Sequence, residues 1–162
     1  MSERLQELVA DAGPAGFALQ ESHLQSWAKS LVLQSLSFIP RGTYQFEDYL
    51  DDDGHGRTDI PIRVTIDARG DTVEVDFSGT AAQVKGNLNC PMPVTAAAVF
   101  YVFRCLMPAH TPACHGALQG VTISAPSGCL VNASAPAAVA AGNVETSSRI
   151  VDTVCGALAQ AL

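Results

Sequence analysis

Thr43-Tyr44-Gln45-Phe46-Glu47-Asp48-Tyr49-Leu50, Ile60-Pro61-Ile62-Arg63-Val64-Thr65-Ile66-Asp67 and Thr72-Val73-Glu74-Val75-Asp76-Phe77 share one habit: apolar residues tend to return at every second position. A period of two sends neighbouring side chains to opposite faces of an extended chain, so each segment reads as a strand with one face buried. β-branched and aromatic residues dominate, as strands prefer. Pro61 stands near a strand start, where a missing N–H donor is tolerated. The links are short and turn-forming, Asp51-Asp52-Asp53-Gly54-His55-Gly56 and Ala68-Arg69-Gly70-Asp71. Strands joined this way predict an antiparallel meander over residues 43–78.

Outward from the meander the period becomes helical. Residues 3–12 predict a short helix capped by Ser2, with Leu5, Leu8 and Val9 on one face and Gly13-Pro14 ending it. A second helix is expected from about Ala18 to Ser37, burying Leu24, Trp27, Leu31 and Phe38 with Ala28 and Leu36. After the meander, Gly79 to Pro93 reads as a loop and Val94 to Leu106 as a well-buried helix. Pro108 to Gly120 is irregular, and Val121-Thr122-Ile123-Ser124 is a short strand. A last helix is expected from Asn143 or Val144 to Leu162, apolar on all sides and uncapped at its end. The class is α+β: helical over 1–40, meander over 43–78, mixed over 79–162. An uncapped apolar helix at the last residue implies that a parent polypeptide continues.

Composition narrows the function classes. The 162 residues are 48% hydrophobic and only 15% charged, with a formal net charge of −7. A negative field repels phosphate backbones, and no Lys/Arg cluster with interleaved aromatics opposes it, which argues against nucleic-acid binding. No apolar run approaches the ~20 residues of a membrane helix. Met1-Ser2-Glu3-Arg4 does not open a signal peptide, so the expected location is cytoplasmic. The five cysteines, Cys90, Cys105, Cys114, Cys129 and Cys155, lack C-x-x-C spacing. They read as small buried hydrophobes, and no metal site is expected.

Three stretches carry residues with chemistry. The Asp51–Gly56 run misses the register of a calcium loop, since Gly54 comes too early and Ile62 stands at position twelve; it reads as a solvated turn. Gly86-Asn87-Leu88-Asn89-Cys90-Pro91-Met92-Pro93 sets two amides and a thiol ahead of a buried helix. Asn87 and Asn89 either rigidify that approach or orient a substrate carbonyl or carboxylate, and Cys90 is a weak candidate nucleophile without a recognisable His partner. Ala140 to Asp152 places Gly142 and Asn143 before a helix bearing Glu145, Thr146 and Arg149. Glu145, Arg149 and Asp152 fall at i, i+4 and i+7, where Arg149 would pair with both acids, and the free N–H groups of the helix start would hold an anion.

In these stretches the chain resembles the hydantoinase B/oxoprolinase family. The resemblance rests on Gly42 to Gly54, on Val75-Asp76-Phe77-Ser78-Gly79-Thr80, on Asn89-Cys90-Pro91 and on Ala137 through Asp152, in that order and spacing. It implies the B component of 5-oxoprolinases and N-methylhydantoinases, more distantly of acetone carboxylases. Such a component works with an A-type component that binds ATP, and phosphorylation of a cyclic amide precedes ring opening. ATP and a divalent metal are implied for the complete enzyme, and neither for this chain alone. The partners implied are the A-type component or the remainder of the parent chain, with a homo-oligomer as a further expectation.

The resemblance covers only the central part of a B component. Nothing here matches the family's upstream His- and Asp-containing segment or its downstream Gly-rich regions. Within the match, Cys114 replaces an Asn, Gln119-Gly120 replace Arg-Pro, and Ser148 replaces a Gln. The expectation is a fragment of an ATP-dependent cyclic-amide hydrolase, inactive alone. Its substrate-binding surface would comprise Asn87, Asn89, Gly142, Asn143, Glu145, Thr146 and Arg149, with no catalytic residue assigned. The competing expectation is a non-catalytic folding or oligomerisation domain that docks through its apolar helices.

Overall fold

The alternating segments form one sheet. β1 (Gly42–Asp52), β2 (Thr58–Ala68) and β3 (Val73–Asp76) are antiparallel neighbours. A fourth strand, β4 (Val121–Ser124), adds parallel to β3, giving the order β1-β2-β3-β4. The structure is a computed structural model describing residues 3–162, so the expected cap at Ser2 lies outside the described residues. With its helices the sheet makes an α+β fold.

Register explains why one face is apolar. Tyr44 pairs with Ile66, Phe46 with Val64, Asp48 with Ile62 and Leu50 with Ile60, while Ile66 and Ala68 meet Val75 and Val73. Ile60, Ile62, Val64, Ile66, Val73 and Val75 are all buried on that side. Each such side chain contributes roughly 1.5–3 kcal/mol by leaving water. The opposite row, with Glu47, Arg63 and Thr65, is polar, and Arg63 pairs with Glu47 across the strands. A one-sided sheet needs a cover on its apolar side. α3 (Ser147–Leu158) lies against β1 and β2, and α2 (Met92–Cys105) packs on α3.

Five helical expectations are corrected. α1 (Glu3–Leu36) kinks at Gly13 (φ 70°, ψ 154°) and resumes at Pro14, not near Ala18, because proline suits a first helical position. Its buried face is Ala28, Val32, Ser35 and Leu36, whereas Leu24, Trp27 and Phe38 stay exposed at 43%, 48% and 75%. Small residues let that face come close, and Trp27 instead stacks on His110 at 6.1 Å between ring centroids. The last helix ends at Leu158 and does not reach Leu162. It is one-sided: Ile150, Thr153, Val154, Ala157 and Leu158 are buried while Asp152 and Cys155 face out. α2 starts earlier than Val94, with Pro91 as its cap.

Two glycines set the closest approaches. A Cβ on Gly156 of α3 would stand 2.6 Å from the Phe46 ring. A Cβ on Gly116, in the 3-10 turn His115–Leu118, would stand 2.2 Å from the Gln25 carbonyl oxygen of α1, and the Gly116 N–H donates to Gln25 Oε1 at 2.5 Å. Overlap with backbone cannot relax through a rotamer change. Gly116→Ala is therefore expected to lower the unfolding free energy by about 2 kcal/mol or more, read by urea denaturation.

Candidate functional site

The two stretches singled out for chemistry are stitched together. The Ala141 N–H donates to the Asn87 carbonyl at 2.9 Å, and the Thr146 hydroxyl donates to the Leu88 carbonyl. Gly142 lies against the next peptide, where a Cβ would sit 2.1 Å from the Asn89 carbonyl oxygen. Residues 87–89 and 141–146 thus run in contact, zipped by main-chain groups and one hydroxyl.

Asn89 is the pin of this junction. It is fully buried, and its Oδ1 accepts the Val84 N–H at 2.7 Å. Its amide nitrogen donates to the carbonyls of Val84, Gly86 and Ala138, each at 2.9 Å. Two protons serve three acceptors, so the side chain has nothing left for a substrate. Of the seven expected contact residues, Asn89, Gly142 and Thr146 are buried, while Asn87, Asn143 and Glu145 are exposed along the rim of the junction and Arg149 is partly exposed.

The remaining chain braces the same region. Cys90 N–H donates to Leu130 O, Ala133 N–H to Cys90 O, and the Thr95 hydroxyl to Val131 O at 2.6 Å. Cys90 is fully buried, and burial pushes its thiol up, against a smaller opposing pull from the Thr95 hydroxyl. A neutral, enclosed thiol is a poor nucleophile, which removes the geometric basis for Cys90 catalysis.

The helix start differs from expectation. A π-helical turn, Gly142–Thr146, precedes α3. The N–H groups of Gly142, Val144 and Glu145 meet the carbonyls of Val139 and Ala141. Those donors are spent inside the chain, so the anion-holding role loses its basis. Arg149 pairs with neither Glu145 nor Asp152: it donates to Asp48 Oδ2 at 2.8 Å, across to β1. The π turn breaks the i, i+4 spacing, and Asp48 sits on the β1 face that α3 covers. Burial pushes the Asp48 carboxyl up, but Arg149, the Tyr49 N–H and the guanidinium charge together hold it below its ordinary value.

The acidic turn is knitted, not open. The carboxylate of Asp52 accepts the Gly54 N–H, and that of Asp53 accepts those of His55 and Arg57. Among the described residues no group of three His, Cys, Asp or Glu is placed to hold a metal. The divalent metal implied for the complete enzyme finds no ligand set here, and no step is assigned to it. No helix of the described residues is long and apolar enough to cross a membrane.

The α+β domain thus leaves the side chains of Asn87, Asn143 and Glu145 exposed beside a tightly bonded loop junction. The hydantoinase B/oxoprolinase family model matches residues 1–162, and the chain belongs to that family. It is 43% identical to 5-oxoprolinase 1 of Arabidopsis thaliana over 112 residues, covering 69% of this chain and 8% of that protein. It is 37% identical to the 5-oxoprolinase of Saccharomyces cerevisiae over 139 residues, covering 85% and 10%. The ATP-dependent caprolactamase of Pseudomonas jessenii superposes with a TM-score of 0.86 at 27% identity, covering 97% of this chain and 27% of that one. The chain therefore spans about a tenth of these oxoprolinases and about a quarter of the caprolactamase chain.

The junction separates its buried pin from its exposed neighbours energetically. Asn89→Ala orphans the buried Val84 N–H and three carbonyls, and should cost about 3 kcal/mol or more. Asn87→Ala, an exposed change, should stay within about 0.5 kcal/mol. Urea denaturation of both variants checks the contrast.

Proposed function

We propose that these residues form part of the substrate-facing wall of the B component in an ATP-dependent cyclic-amide hydrolase. On this reading the chain is cytoplasmic and inactive by itself. Turnover requires an A-type ATP-binding component or the remainder of a B-type polypeptide. Two matched relatives carry names of lactam-acting enzymes, 5-oxoprolinase and caprolactamase, and the second is named as ATP-dependent.

The observation that carries the reading is the Asn89-pinned junction, in whose two contacting loops Asn87, Asn143 and Glu145 are exposed. An amide carbonyl is a weak electrophile until its oxygen is phosphorylated or its developing charge is met by fixed donors. Donors held rigidly before the reaction stabilise that charge without reorganising. The Asn87 and Asn143 amides would contact the ring carbonyl or a substrate carboxylate, and Glu145 would accept a ring N–H. Asn89, Gly142 and Thr146 act as positioning residues beneath them. Arg149, tied to Asp48, fixes α3 over β1 with one face still open to solvent.

A second reading, a non-catalytic docking domain, is favoured by an apolar recess of about 240 Å³ between the ends of α2 and α3, lined by Val102, Leu106, Cys155 and Leu158 among others. A dimer in size-exclusion chromatography that Leu162→Asp, an exposed change at the same recess, dissolves would favour it.

The first reading is tested in the complete B component, assembled with its A component and supplied with 5-oxoproline or caprolactam. Asn143→Ala and Glu145→Gln are exposed changes that should leave the melting temperature unaltered. They should slow ring opening by about tenfold or more. Unchanged ring opening in both variants would contradict the assignment.

A further inference from the structure

α2 leaves one flank uncovered, away from the loop junction. Phe100, Tyr101, Met107 and Leu118 wall a recess of about 390 Å³, with Arg104 as the one cation among its lining residues. No residue of 87–89 or 141–149 lines it. The size and the mix of aromatic and aliphatic walls around a single polar group match small-molecule sites, which run from about 300 to 1,000 Å³.

The polar group is left incomplete. Among the described residues, two buried side-chain atoms lack any partner: Arg104 Nη1 and Thr111 Oγ1. They belong to one spot, because Arg104 Nη2 donates to the Thr111 carbonyl at 2.7 Å. Thr111 is only 3% exposed. A guanidinium nitrogen and a hydroxyl shut off from water without acceptors are destabilising. Features that cost stability without local compensation concentrate where a ligand completes them.

We propose that this recess binds a small apolar carboxylic acid. Its body packs against Phe100, Tyr101 and Leu118, and its carboxylate takes the Arg104 guanidinium, whose Nη1 has no partner. A carboxylate matches the geometry of the guanidinium fork and neutralises its one charge. A phosphate dianion would bring a second, uncompensated charge among apolar walls. Nη1 has no exposed surface, so binding requires a lining side chain to shift, and unbranched Met107 is the most adaptable of them.

The test is an NMR titration of the chain with benzoate and hexanoate, each set against its neutral amide. The carboxylates should give saturable shifts at the Arg104 Nε–H and the Met107 and Leu118 methyls, binding about tenfold or more tighter than the amides. Arg104→Met should erase that preference; it removes an unpaired buried donor but also the hydrogen bond to the Thr111 carbonyl, so its fold is checked first by its melting temperature. If Arg104→Met does not fold, Arg104→Gln, which removes the charge and keeps a donor for the Thr111 carbonyl, must weaken the preference in its place. Equal binding of acid and amide, absence of saturable shifts, or a carboxylate preference that survives both substitutions would overturn the site. So would ligand-free broadening of the same signals that follows protein concentration, because the flank would then seat a second copy.

Discussion

The fully buried amide of Asn89 is the constraint on which the junction between residues 84–90 and 138–146 depends. A primary amide carries two N–H donors and a carbonyl acceptor on one short side chain, so it can meet several backbone groups simultaneously. Here it replaces the ladder that a sheet would provide, binding Val84, Gly86 and Ala138 across 49 residues of sequence. Loops this deep would otherwise bury main-chain groups without partners. With the amide in place they become a rigid floor, and the side chains above it stand at fixed spacing without holding themselves there.

Close backbone approaches complete that floor. Gly142 lets the π-helical turn press onto the Asn89 carbonyl, and Gly86 lets the same loop press onto the β1–β2 turn at Asp53, where a Cβ would stand 2.2 Å from the carbonyl oxygen. The sheet enters through α3: Phe46 fills the gap left by Gly156, and Arg149 reaches Asp48. Both ends of that ion pair keep part of their surface in water, at 35% and 28% exposure. Its worth is then about 1 kcal/mol or less, so it fixes orientation more than stability. The lactam chemistry proposed above needs this kind of platform, preorganised and separate from the groups that hold it.

Much of the fold was legible because its periods are local. Ile60, Ile62, Val64 and Ile66 announce a buried face by alternation alone, and the turns at Gly54 and Gly70 mark where the strands reverse. Pairing of β4 was not legible, because a parallel neighbour is chosen by a crossover of more than forty residues. Trp27 and Phe38 were misread for a different reason. α1 carries two apolar stripes, and periodicity cannot say which one the small residues Ala28 and Ser35 bring against the core. At the junction, residue types singled out two loops that the fold does bring into contact, but not which side chains are buried there and which are exposed. An asparagine before Cys90-Pro91 looks the same whether its amide faces solvent or three carbonyls, and Arg149 had acids nearer in sequence than Asp48. The unpaired Arg104 was invisible, since a single cation in an apolar helix ordinarily keeps its head in water.

Native-state hydrogen exchange addresses the pinned junction most directly. The amides of Val84, Cys90 and Ala141 lie in segments without regular secondary structure, yet their acceptors are Asn89 Oδ1, Leu130 O and Asn87 O. If Asn89 makes the junction one cooperative unit, these three amides exchange only through the same opening that frees Ile62 and Val64 in β2. Exchange at open-loop rates while β2 stays protected would show that the junction moves independently of the core, and the account would fail at its centre.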